Sequence, residues 1–190
     1  MRRVQPIVLL LLAMVLAGCG AQPTAGTDSH DTSSGAAHSD THTSSGPYDA
    51  QFIDGMTLHH QGAVAMAEQA LKESQRPEIK QLSQNIIATQ TAEIEQMAAW
   101  RQQWYPDLAP TGGTGGHMGD MQLSSDSSIP FDQRFITAMI SHHDGAIDMA
   151  HEAQTKAEHA EVRQLAGAIV QAQEAEIQQL QAWQKAWFGQ

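Results

Sequence analysis

The chain has 190 residues, 41% of them hydrophobic, with a single cysteine and a formal net charge of −11 from 10 Lys and Arg against 21 Asp and Glu. One cysteine excludes a disulfide framework within the chain. The acidic balance argues against nucleic acid, whose phosphates need a basic patch, and is compatible with cations as ligands.

Arg2 and Arg3 give the chain a basic start, and residues 7–17 are an apolar run. That run is shorter than the roughly 20 residues a membrane-spanning helix needs. It ends in Leu16-Ala17-Gly18-Cys19, which resembles a bacterial lipobox. The resemblance implies that residues 1–18 are a signal peptide, that Cys19 becomes the lipidated N-terminus, and that the protein is exported and anchored to the bacterial cell envelope. A plain secretory signal with an unrelated cysteine is the alternative. Residues 20–46 are Ser, Thr, Gly, Asp and His with almost nothing apolar, so residues 19–46 read as a lipidated cysteine plus a flexible tether. His30, His38 and His42 lie there beside Asp28, Asp31 and Asp40, a composition that suits a solvated linker and permits weak metal binding.

Beyond Pro47, apolar residues at Phe52, Ile53, Met56, Ala63, Met66, Ala67 and Ala70 recur at the spacing of one helical face. A break is expected around residues 74–77, where Pro77 can open the next helix at its first turn. That helix carries Ile79, Leu82, Ile86, Ile87, Ile94, Met97, Trp100 and Trp104 and should end before Pro106. Residues 47–107 thus form one helical hairpin. Residues 108–129, rich in Gly, Ser and Pro, form a connection that is long for a bundle. Residues 130–190 form a second hairpin, opening after Pro130 and breaking around residues 155–160. The reading is an all-α fold: a four-helix bundle made of two tandem hairpins that cover each other's apolar faces, residues 47–190 being one domain. Trp100, Trp104, Trp183 and Trp187 should face inward.

The hairpins are copies of one another. Phe52-Ile53-Asp54-Gly55-Met56-Thr57-Leu58-His59-His60 recurs as Phe135-Ile136-Thr137-Ala138-Met139-Ile140-Ser141-His142-His143, at an offset of 83 residues. The register continues through Met66/Met149, Gln90/Gln173, Glu93/Glu176, Trp100/Trp183 and Trp104/Trp187. At about 100° per residue, Met56, His59, His60, Ala63 and Met66 share a sector of roughly 120°. The histidines therefore flank the core-facing stripe. On the second helix Glu93 falls among Leu82, Ile86, Met97 and Trp100, with Gln90 one turn before it.

A carboxylate among Trp, Ile and Met is costly unless it is neutralised, hydrogen-bonded or bound to a cation. Glu93 and Glu176, with Gln90 and Gln173 nearby, could orient histidines that hold a metal, because a metal-bound imidazole usually donates its other N–H to a carboxylate. They could instead be ligands themselves, or His–Glu pairs that only fix helix register. Methionines at helical spacing also serve as core filler. A duplicated His-His with duplicated methionines is more than packing commonly asks for.

Phe-x3-Met-x2-His-His-x2-Ala-x2-Met-Ala, followed by Gln-x2-Glu-Ile-x2-Met/Leu-x2-Trp, resembles the bacterial family named for a domain of unknown function, DUF305, over both repeats. The resemblance implies a ferritin-like four-helix bundle, exported or lipid-anchored in many members, with copper bound by Met and His in some. Met56, His59, His60, Met66, Met139, His142, His143 and Met149 match the motif. His117-Met118-Gly119-Asp120-Met121 resembles a Met-rich loop and supplies His117, Met118 and Met121 as an accessory set. Imidazole with thioether is a soft donor set suited to Cu(I), with Ag(I) as its imitator. The implied function is sequestration of soft metal ions or copper tolerance, with no enzymatic step required. Two rivals stand beside it. A di-iron oxidoreductase would bind iron through Glu-x-x-His motifs, but Met56 and Met139 occupy the Glu positions. A metal-free helical interaction module would use the His–Glu contacts for structure alone.

Overall fold

The computed structural model describes residues 46–111 and 123–189. Four helices account for most of them: α1 (Tyr48–Glu73), α2 (Pro77–Trp104), α3 (Phe131–Lys156) and α4 (Ala160–Phe188), with no strand among the described residues. Cys19, the tether histidines, His117, Met118 and Met121 lie outside the described residues. Proline sets three of the four helix starts. Pro47 and Pro130 occupy the N-cap positions of α1 and α3, and Pro77 lies in the first turn of α2, where a missing N–H leaves no hydrogen bond unmade. The turns Ser74-Gln75-Arg76 and Ala157-Glu158-His159 close the hairpins where the periodicity lapses. α2 stops at Trp104, before Pro106, and α4 ends on Gly189 at φ 71°, a left-handed cap that glycine adopts without steric cost.

Within each hairpin the helices pack along their length, and the hairpins meet chiefly through α1 against α3. The reason lies in small side chains. Ala63, Ala67 and Ala70 on α1, with Ala146, Ala150 and Ala153 on α3, are wholly buried, so those two backbones approach closely. The apolar core divides into two clusters along this seam. One joins Phe52, Met56 and Ile53 from the start of α1 to Met149 and Ala153 from the end of α3. The other joins Ala63, Met66 and Ala70 to Phe135, Ile136 and Met139. α1 and α3 are therefore antiparallel, and the repeat is expressed as a pseudo-twofold relation between hairpins.

The tryptophans sit at the rim of the core, half-buried and packed against it. Trp100 stacks on Trp104 with ring centroids 5.4 Å apart, and Trp183 stacks on Trp187 at 5.1 Å. A clasp on each side ties one hairpin to the other. Buried Asp49 at the start of α1 accepts hydrogen bonds from the backbone N–H groups of Glu158 and His159 at 2.9 and 2.8 Å, capping α4 from another helix. Its Oδ2 also lies 2.6 Å from His159 Nδ1, and that ring stacks on Trp104 at 3.8 Å. The equivalent clasp uses Asp132, 3.2 Å from Arg76, whose guanidinium lies 4.1 Å over Trp187.

Candidate metal centre

Helix periodicity brings His59 and His60 to the inner face of α1, and His142 and His143 to that of α3. All four are fully buried. The close α1–α3 approach brings the His59 and His142 rings into contact, tilted, with centroids 3.8 Å apart and planes inclined by 51°. No ring nitrogen of either residue makes a hydrogen bond of ordinary geometry, the His59 backbone giving His142 only a weak contact. Burial pushes the His59 imidazole down to about 3, helped by the charges that His60 and His143 would carry. Burial likewise pushes His142 down to about 2, helped by the three neighbouring histidines. Both are therefore neutral at physiological pH, each with a bare nitrogen lone pair, the form in which imidazole binds a metal.

The second histidine of each pair has a different environment. His60 Nε2 lies 2.8 Å from Glu93 Oε2, and His143 Nε2 lies 2.7 Å from Glu176 Oε2. Glu93 and Glu176 keep 14% and 23% of their side chains exposed, so neither carboxylate is stranded in the core. An ionised carboxylate accepts, so Nε2 carries the proton and Nδ1 keeps its lone pair. In both residues Nδ1 is buried and unpartnered. That is the arrangement in which a carboxylate fixes the tautomer of a metal-binding histidine. Gln90 and Gln173 line a pocket of about 10 Å³ between α2 and α4 together with Glu93 and Glu176. Their Oε1 atoms are buried without partners.

Met56 and Met139 are completely buried, and Met66 and Met149 nearly so. Met56 shares one core cluster with Met149, and Met66 shares the other with Met139. Each cluster thus receives one motif methionine from α1 and one from α3, and the histidines lie between the two methionines along each helix. Among the described residues, no three His, Cys, Asp or Glu side chains gather in a metal-holding group. The buried motif side chains that α1 and α3 contribute are imidazoles and thioethers.

An unsatisfied buried polar atom costs about 1–3 kcal/mol. A contact that served only helix register would satisfy its histidines, as Glu93 does for His60 Nε2. The His59–His142 contact satisfies none of its four ring nitrogens. Sequence alone left open which histidine of each pair takes the carboxylate, because that depends on where α1 crosses α3. It also placed Met97 on the apolar stripe without grouping it with Met56 and Met149, a grouping that joins three helices.

The family model described as "Domain of unknown function (DUF305)" matches residues 49–184. The chain belongs to this family. Among solved structures, CopM in its Cu(I)-bound form is 38% identical to this DUF305 chain, with a TM-score of 0.64, over 74% of this chain and 97% of CopM. CopM in its Ag-bound form, obtained by co-crystallization, gives the same identity, coverage and TM-score. A DUF305 fragment from Deinococcus radiodurans is 26% identical with a TM-score of 0.60, over 72% of this chain and 95% of that one. No protein with a curated description matches the chain.

Proposed function

We propose that this DUF305 protein is a cell-envelope lipoprotein that holds Cu(I), with Ag(I) as its mimic, for sequestration or copper tolerance. The observation that carries the reading is the set of six buried imidazole nitrogens without partners: both of His59, both of His142, and Nδ1 of His60 and His143. Buried imidazole lone pairs, with thioethers three to seven residues away on the same helices, supply soft donors, which favour Cu(I) over harder ions. His59, His60, His142 and His143 would supply nitrogen, and Met56, Met66, Met139 and Met149 would supply sulfur. Glu93 and Glu176 hold the rings of His60 and His143 in place and fix their tautomer. The likeness to CopM, solved with Cu(I), with Cu(II) and with Ag, supports copper and silver as the ions bound.

The test is metal content and thermal stability of the purified full-length chain titrated with Cu(I), Ag(I) and Fe(II) under reducing conditions. Cu(I) and Ag(I) are expected to raise the unfolding temperature. At a free concentration 100 times the dissociation constant, the stabilisation is about 2.7 kcal/mol. A response to Fe(II) with none to Cu(I) or Ag(I) would overturn the reading.

The anchor is proposed on the lipobox alone. Changing Cys19→Ser is expected to block lipidation and release the protein from membranes into the soluble envelope fraction. The check is fractionation followed by mass analysis of the N-terminus. Membrane association that persists unchanged in the variant would rule out Cys19 as the anchor.

A further inference from the structure

The repeat keeps His59-His60, Met56, Met66, Gln90 and Glu93 in both hairpins, but among the buried positions that differ is one that changes a donor atom, where Met97 in α2 corresponds to Leu180 in α4. Met97 is wholly buried and belongs to the same core cluster as Met56 and Met149. Three helices therefore each deliver one methionine to that cluster. The opposite cluster contains Met66 and Met139, and Leu180 in the third place.

We propose that Met97 is a third thioether ligand and that the two halves of the centre bind soft monovalent ions unequally, the half containing Met56, Met97 and Met149 more tightly. The inference rests on the Cu(I) and Ag(I) reading above. Its geometry comes from the cross-link between α1 and α2. His60 and Glu93 join the two helices through their 2.8 Å contact. Met56 lies one turn before His60 on α1, and Met97 lies one turn after Glu93 on α2, so each is a direct helical neighbour of one partner. Since both methionines enter the same cluster, they lie on the same side of that cross-link. On that side the unpartnered His60 Nδ1 has more sulfur in its neighbourhood than its counterpart on His143. Leucine and methionine have similar volume and exchange readily in cores, so packing makes little distinction between positions 97 and 180. What differs is the sulfur lone pair, which Cu(I) and Ag(I) prefer to harder donors.

The experiment compares the full-length chain with its Met97→Leu and Leu180→Met variants. Cu(I) affinity is measured by competition with a chromophoric chelator, and sulfur neighbours of bound Cu(I) are counted by X-ray absorption. In the unaltered chain, a tighter and a weaker phase are expected. Met97→Leu should weaken the tighter phase by about tenfold or more and lower the sulfur count. Leu180→Met should strengthen the weaker phase and raise the count. Unchanged affinities and sulfur counts in both variants would make Met97 core filler and overturn the inference. If binding in that case still disappears when the four histidines are changed, the wider Cu(I) reading survives. An unaltered chain that binds neither Cu(I) nor Ag(I) overturns both.

Discussion

Changing His59, His60, His142 and His143 together to Ala is expected to weaken Cu(I) binding by about a hundredfold or more, equivalent to about 2.8 kcal/mol. Changing His117, Met118 and Met121 to Ala is expected to leave most of the affinity in place. The asymmetry follows from burial: each of the four histidines keeps one lone-pair nitrogen, buried in the core and engaged by no strong partner. Chelator competition on both variants checks it. Undiminished binding in the first with loss in the second would move the site to the connecting segment and leave the duplicated motif as structure only. The same argument gives a result in the opposite direction for stability. With His59→Leu and His142→Leu combined, the metal-free protein should become more stable by about 1 kcal/mol or more, because apolar side chains replace buried unsatisfied nitrogens. The stabilisation by Cu(I) should shrink at the same time. A site that weakens the empty fold and strengthens the loaded one is the mark of function retained at the expense of stability.

Mild acid should destabilise the metal-free protein more steeply than its surface charges would. His59 and His142 titrate near 6.5 when unfolded and are held at about 3 and about 2 in the fold. Between those values the unfolded chain binds protons that the folded chain refuses. The unfolding free energy therefore falls as pH falls below 6.5, by up to about 1.4 kcal/mol per pH unit for each histidine, and the effect vanishes above that value. Urea denaturation between about pH 7 and about pH 4 measures the slope. The His59→Leu, His142→Leu variant should show a shallower slope, since the two groups responsible are gone. Equal slopes in the two proteins would mean that these imidazoles are not held neutral by the fold.

Much of this molecule is legible in its residues because helical hairpins are specified locally. Apolar spacing of three and four, Pro77 within the first turn of α2, and Pro47 and Pro130 before α1 and α3 marked the helices closely. The 83-residue repeat also exposed the ligand candidates, since His59-His60 and His142-His143 recur on equivalent faces. Helical arithmetic placed Glu93 near the middle of the apolar face; in the fold it lies at the edge, with its carboxylate partly open to solvent. The division of labour within each histidine pair was beyond that arithmetic. Adjacent residues on a helix point about 100° apart, and which of them meets a neighbouring helix is set by where the two axes cross. Only the close approach of α1 and α3 over their alanines decided that His59 faces His142 while His60 and His143 turn to the glutamates. The same approach assigned Met97 to the cluster of Met56 and Met149, a grouping that joins three helices and has no expression in local spacing.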